Sequence, residues 1–259
     1  MSIEVNKDWW KTLFDSIYLK TDARTVCDET LTRREVDLLS ELIPLRPAHK
    51  ILDLCGGHGR HSLELCRRGF AHCTVFDYST ALLGQGAQTA RRLNFSVDFV
   101  QGDARRILMQ SGNFHHVLIL GNSLGYVGSS GADQQIVNEA HRLLDQSGWI
   151  AIDVTDGSAV RDHFNPNAWH EIGEDLVVCR QRELHGNQIR AREMVLDKRT
   201  GLVRDRNYGM RLYEGESLKA LVSDAGFGNV RLHRDFEPYW GDGDVGFMDH
   251  RIIVTAQKL

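Results

Sequence analysis

The chain has 259 residues, a formal net charge of −4, 42% hydrophobic and 25% charged residues, a balance that excludes disordered, collagen-like and low-complexity proteins. No apolar run nears the roughly 20 residues that span a bilayer, no basic stripe marks a nucleic-acid binder, and the start MSIEVNKDWWKTLF lacks the basic and apolar regions of a signal peptide. The five cysteines, Cys27, Cys55, Cys66, Cys73 and Cys179, fit neither a zinc site nor a disulfide framework and read as reduced thiols of a cytoplasmic protein.

In chain order, Trp9, Trp10, Leu13, Phe14, Ile17 and Tyr18 recur at helical spacing and predict an N-terminal helix. Thr32-Arg33-Arg34-Glu35 matches a capping box and predicts a second helix from Thr32, ended by Pro44 and Pro47. Short apolar runs then alternate with helical segments. Strands are expected at 51–54, 73–76, 97–100, 116–120 and 149–154, and helices at 60–68, 80–93 and 132–144. This rhythm predicts an α/β fold, a mostly parallel sheet with helices on both faces. Residues 157–207 break it. Strand-like segments at 176–184, 188–196 and 203–212, with turn signals at Gly186-Asn187 and Thr200-Gly201, predict antiparallel strands added onto the parallel core. A helix at 216–225 and strands at 229–236 and 251–256 complete the pattern. With only 4 prolines and no linker, residues 1–259 are expected to form one domain.

Asp53-Leu54-Cys55-Gly56-Gly57-His58-Gly59 lies between the first strand and the following helix. Glycines there let a ligand approach bare backbone, and the helix start suits an anionic group. No Gly-Lys-Ser/Thr follows, which excludes a P-loop. A dinucleotide fingerprint would need a third glycine where Ser62 stands. Asp53, Asp77 and Asp103 fall at the carboxyl ends of three successive strands, the edge where open α/β sheets bind ligands. Asp77 suits two ribose hydroxyls, and Asp103 with the Ala104 N–H suits the edge of an adenine. The plainer reading, that each acid caps the helix behind it, would have to hold three times over.

At these residues the sequence resembles the class I S-adenosylmethionine-dependent methyltransferases, over roughly residues 32–154 and again from Leu212 to the C-terminus. The resemblance implies a Rossmann-like seven-stranded sheet with only the last strand antiparallel, and S-adenosylmethionine as cofactor. It implies that Gly57 and Gly59 approach the methionine part, with Gly56 also in the cofactor set, that Asp77 holds the ribose with Tyr78 beside the adenine, and that Asp103 and Ala104 read the adenine. Asp53 and Gly121 join this cofactor set, and Asn122 falls in the methyl-transfer region after the fourth strand. Cys55 replaces the first glycine of the family motif. The family also implies that the N-terminal segment, residues 1–31, folds over the cofactor as a lid.

Methyl transfer from a sulfonium is an in-line displacement in which position supplies much of the rate; a hydroxyl acceptor needs a base, whereas an amine needs only to arrive neutral. The expected acceptor is a small molecule, at nitrogen or oxygen. Tyr18, Asn122 and His163 are the candidate catalytic residues, His163 as the base. Trp10 and Phe14 read as packing on the sheet. No tetrapeptide of the Asn-Pro-Pro-Tyr kind follows the fourth strand, which argues against DNA bases and glutamine side chains. Residues 157–211 read as an insert that caps the substrate or joins subunits into a homo-oligomer. Its arginines, 180, 182, 190, 192, 204, 206 and 211, read mostly as solvated strand faces paired with Glu183, Glu193 and Asp205. No metal is expected. His58 and His61 lack a third ligand, and Asp242, Asp244, Asp249 and His250 lack the remaining ligands of a calcium loop. The rival readings are an NAD-dependent oxidoreductase, a protein that binds S-adenosylmethionine without transferring its methyl, and an RNA or protein methyltransferase. No nucleic-acid or membrane partner is expected.

Overall fold

The computed structural model describes residues 2–129, 131–236 and 247–259; Asp242 and Asp244, weighed above as cation ligands, lie outside them. The chain begins with three one-turn helices, α1 (Trp10–Leu13), α2 (Tyr18–Thr21) and α3 (Ala23–Val26), then α4 (Glu29–Leu42). The alternating section follows: β1 (Lys50–Leu54), α5 (Arg60–Arg67), β2 (His72–Asp77), α6 (Thr80–Leu93), β3 (Val97–Gln101), β4 (Phe114–Ile119), α7 (Ala132–Leu143) and β5 (Leu144–Thr155). After it come α8 (Gly157–Asp162), β6 (Asn167–Ile172), β7 (Leu176–His185), β8 (Gln188–Asp197), β9 (Gly201–Arg211), α9 (Gly215–Asp224), β10 (Phe227–Phe236) and β11 (Arg251–Lys258).

The apolar runs become central strands because both faces of the sheet are covered. Successive side chains of a strand point to opposite faces. Leu52 and Leu54 of β1 pack with Val117, Ile119, Ile150 and Ile152 against α7 and α9. Ile51, Leu118 and Ala151 face the other way, against Val36 and Leu39 of α4 and Leu65 of α5. The seven strands run in the order β10-β11-β5-β4-β1-β2-β3. β11 pairs antiparallel with both neighbours, while β5-β4-β1-β2-β3 pair parallel. The expected sheet, with only its last strand antiparallel, is therefore observed. Among the described residues no helix is long and apolar enough to cross a membrane.

Three local expectations need correction. The N-terminal stripe is not one helix. The Asp15 carboxylate accepts from the Ile17 and Tyr18 N–H groups, at 2.8 and 3.2 Å, and restarts the chain there; α2 ends at Thr21, with Asp22 as its C-cap. Helix α4 starts one turn before Thr32, because Asp28 is its cap and accepts from Thr30 N at 2.7 Å and Leu31 N at 2.9 Å. Glu35, assigned above to the cap, is drawn into a buried charge network instead.

The third correction concerns the insert. Its antiparallel strands are present as expected. They form a second antiparallel sheet, β6-β7-β8-β9, and neither β6 nor α8 was expected. Arg180, Arg182 and Arg204 are buried, as is Glu193, so this face is not a solvated one. The N-terminal segment lies against it and supplies the missing acids: Arg180 Nη2 donates to both oxygens of Asp22 at 3.0 Å, and Arg204 pairs with Asp15. Arg180 and Arg204 share Glu193. Arg192 keeps the expected partner in the expected setting, a half-exposed pair with Asp205.

Candidate active site

The glycine loop leaves β1 in a tight coil. Cys55, Gly57 and Gly59 have φ of 60°, 59° and 73°, left-handed values that glycine adopts without strain. Cys55 adopts one with a side chain attached. Gly56 is required for another reason: a Cβ there would stand 2.6 Å from the Asp53 Cγ. Gly57 N donates to Asp77 Oδ2 at 2.8 Å, which ties the loop to the end of β2.

Gly56, Gly57, Asp77, Tyr78, Asp103, Ala104 and Gly121 line one cavity at the carboxyl edge of the sheet. Asp53 and Gly59 do not. Asp53 is buried behind the loop, where its Oδ2 accepts from the Ser62 hydroxyl at 2.9 Å and its Oδ1 has no partner. A Cβ on Gly59 would meet Val75 Cγ2 at 2.8 Å, so this glycine serves the packing of α5 on the sheet. Ser62, where a dinucleotide fingerprint needs glycine, is fully buried and satisfies Asp53.

Burial raises the Asp77 carboxyl above its usual range, against the lowering effect of the Ser79 and Gly57 N–H groups. Asp103 is held below the usual range by the Arg105 guanidinium, which grips both its oxygens and lies over the Trp10 ring. Trp10 also meets the Tyr78 ring edge-on at 4.8 Å. Trp10 and Phe14, expected to pack on the sheet, instead form part of the cavity wall.

Tyr18 lines this cavity and a second chamber beside it. Burial and the neighbouring Asp22 carboxylate push its phenol well above the ordinary tyrosine range. The chamber lies between the sheet edge and the second sheet, and shares Phe14, Tyr18, Gly121 and Tyr126 with the first cavity. Trp9 joins its rings together, with centroids 5.5 Å from Tyr126 and 5.7 Å from Tyr208. Burial raises the phenols of Tyr126 and Tyr208 as well. Asp22, Arg180 and Glu193 complete its polar wall.

Asn122 reaches the chamber with its amide already engaged. Its Oδ1 accepts from Thr155 N at 3.0 Å and its Nδ2 donates to Tyr126 Oη at 3.3 Å. His163 lines neither space. It follows α8 and stacks on His250 at 5.8 Å, so the role of base expected for it has no geometric footing. Among the described residues no group of three His, Cys, Asp or Glu side chains is placed to hold a metal.

Several site residues escaped the sequence reading. Arg60 lines the cavity and pairs with Glu35, which also accepts from Arg251 and lies 2.9 Å from His61 Nε2. Burial opposes the charge of Glu35, yet Arg60 and Arg251 hold its carboxyl well below the usual range. Arg251 continues to Asp153, whose Oδ2 accepts from Gly121 N at 3.0 Å. No spacing links residues 35, 60, 153 and 251, so only the fold reveals this floor. Tyr208 and Asp22 were likewise hidden, each reading as part of a larger strand or helix.

Asp77, Asp103 and the glycine loop thus line a cavity at the ends of parallel strands, the edge where open α/β sheets bind ligands. Comparison with known proteins narrows that reading. Residues 51–148 match a family model described as a methyltransferase domain. The putative methyltransferase YqeM of Bacillus subtilis is 24% identical over 240 residues, 90% of this chain and 95% of that one. The glycine/sarcosine N-methyltransferase of Halorhodospira halochloris is 22% identical over 227 residues, 86% of this chain and 81% of that one. Among solved structures, an S-adenosylmethionine-dependent methyltransferase from Clostridium acetobutylicum superposes with a TM-score of 0.74 at 14% identity, covering 93% of this chain and 96% of that one. Residues 51–148 thus match a methyltransferase domain, and the chain as a whole has the fold of a solved S-adenosylmethionine-dependent methyltransferase.

Proposed function

We propose that this enzyme methylates the nitrogen of a small-molecule amine. One observation carries the reading: among the described residues, the chamber that shares a wall with the cofactor cavity offers no base. Its three phenols are held neutral by burial. Its two carboxylates, Asp22 and Glu193, both accept from Arg180. No histidine is among its described lining residues. An alcohol entering such a space keeps its proton; an amine that arrives neutral brings its own lone pair. The N-methyltransferase relative described above supports the same choice.

The residues of the first cavity fit the cofactor. In this reading Asp77 takes the ribose hydroxyls, Tyr78 lies beside the adenine, and Asp103 with Ala104 reads its edge, for which Arg105 must share the Asp103 carboxylate. Gly56 and Gly57 present bare backbone to the rest. S-adenosylmethionine supplies an electrophilic methyl on a sulfonium, and its departure as a neutral thioether needs no acid. The chain's own contribution is position and dryness. Residues 1–31 act as the cover, placing Trp10, Phe14 and Tyr18 over the cavity, and residues 157–211 act as the cap that closes the chamber. Tyr18, Tyr126 and Tyr208 orient the acceptor through their hydroxyl groups, and the rings of Trp9 and Phe14 exclude water. Holding the reacting pair in line accounts for the largest share of the rate.

The test is transfer of a labelled methyl group to a panel of small amines and their matched alcohols across a pH series. Amines alone should turn over, with a rate that rises as each amine's own ammonium loses its proton. Turnover of the alcohols, or a profile set by an enzyme group near neutrality whatever the acceptor, would sink the amine reading.

A further inference from the structure

The cofactor of this enzyme ends in an amino acid whose carboxylate is ionised at every pH near neutrality. A buried carboxylate needs a cation or dense hydrogen bonding. Among the described residues, the cavity wall holds a single arginine or lysine, Arg60. His58 and His61 also reach the wall, and burial lowers both below the usual histidine range, His58 to about 4. Both are neutral at pH 7, which leaves Arg60 as the cation.

Its place is the right one for the amino-acid end. The strand order β4-β1-β2-β3 sets Asp77 and Asp103, the nucleoside-reading acids, on one side of the glycine loop. Gly121, after β4, stands on the other side. Arg60 belongs to that second side: a Cβ on Gly121 would lie 3.5 Å from Arg60 Nη2. The Arg60 side chain is 11% exposed and fixed from behind. Its Nη1 donates to Thr32 Oγ1 at 2.9 Å and its Nη2 to Glu35 Oε1 at 3.1 Å. Glu35 is anchored in turn by Arg251 and His61. A guanidinium carries five N–H donors in a rigid fork and serves more than one carboxylate at once.

We propose that Arg60 receives the carboxylate of the cofactor's methionine portion, and that Glu35 is the positioning residue that keeps the guanidinium at the Gly121 side of the cavity. This rests on the cofactor assignment and is independent of the acceptor. It makes Arg60 the residue that distinguishes the whole cofactor from thioethers that share only its nucleoside.

Calorimetric titration with three ligands tests it. S-adenosylhomocysteine has the complete amino acid, its decarboxylated analogue keeps only the ammonium, and 5′-methylthioadenosine has neither. The wild-type protein should prefer S-adenosylhomocysteine to the decarboxylated analogue by tenfold or more. Arg60→Gln should erase that preference while changing the affinity for 5′-methylthioadenosine by less than twofold, and Arg60→Lys should restore part of it. Glu35→Gln should weaken S-adenosylhomocysteine more than 5′-methylthioadenosine. Equal weakening of all three ligands in Arg60→Gln, or no weakening of any, overturns the proposal. If Arg60→Gln does not fold, the wild-type preference decides, and its absence overturns the proposal. Failure of the wild-type protein to bind any of the three would overturn the cofactor assignment, and this proposal with it.

Discussion

The two walls of the cavity are built by different physics. The sheet-edge wall is made by short stretches of chain. A strand ends, glycines turn, a helix begins, and the acids at 77 and 103 fall into place within a few residues of each turn. The opposite wall, from the N-terminal turns that lie on the second sheet and its chamber, is joined by charges far apart in the chain: Arg180 with Asp22, Arg204 with Asp15. The first wall is specified by backbone geometry and the second by long-range pairing. Damage to the first should show as lost binding, and damage to the second as lost folding.

The sharpest break in that comparison is Glu193→Ala. It leaves Arg180 and Arg204, both about 95% buried, short of a counter-charge, and removing one partner of a buried pair costs about 3–5 kcal/mol. Denaturant unfolding should show a loss of that size. Asp77→Ala attacks the other wall. Removing an acceptor of two charge-assisted hydrogen bonds should weaken S-adenosylhomocysteine by about 100-fold in calorimetry, with a far smaller change in melting temperature. A Glu193 variant that stays fully stable, or an Asp77 variant that binds normally, would dissolve the distinction.

Acid tests the sheet side through two of its histidines. Burial holds His58 neutral down to about pH 4 and His116 down to about pH 3, the latter helped by His49 and His115. In the unfolded chain both protonate near 6.5. Their contribution to stability is complete above pH 6.5 and is lost as pH falls from there toward 4 and then 3. Melting temperature should therefore decline across that window, and His116→Gln should make the decline shallower. A melting temperature flat from pH 7 to 4 would contradict the burial of both rings.

Two smaller effects refine the picture. Asp28→Ala removes the true cap of α4 and should cost about 1 kcal/mol in denaturant unfolding. Asp205→Ala breaks a pair of the same chemical type as those around Glu193, but a half-exposed one, and should change stability by less than about 1 kcal/mol. A loss as large as that for Glu193 would mean that burial is not what separates the two pairs.

The local wall was legible in the sequence because its signals are local. A buried strand followed by Gly56-Gly57 and an acid every twenty-odd residues marks the cavity in the sequence itself. Even there, Asp53 and Gly59 carried a signal for the wrong reason: the acid braces Ser62 and the glycine admits Val75, behind the ligand edge rather than on it. The second wall was illegible because alternation in β7–β9 states only which residues share a face, not which face is buried. Arg180 and Arg204 look like solvent residues until the acids of the N-terminal turns are laid on them. His163 failed for the same reason. Its sequence position after β5 matches the ligand edge, but α8 carries it away to stack on His250.

The clasp under the cavity has a consequence for how the molecule comes into being. Glu35 lies in the first long helix and Arg251 at the start of the last strand, 216 positions later. Gly121 reaches the same clasp through Asp153. Contacts spanning most of a chain close late, because the intervening loop must be gathered before they reward it. The ribosome therefore delivers the glycine loop and both nucleoside-reading acids long before the strand that completes the floor beneath them. The binding site is among the last parts of the molecule to mature, although most of the residues that touch its ligand are among the first to be made.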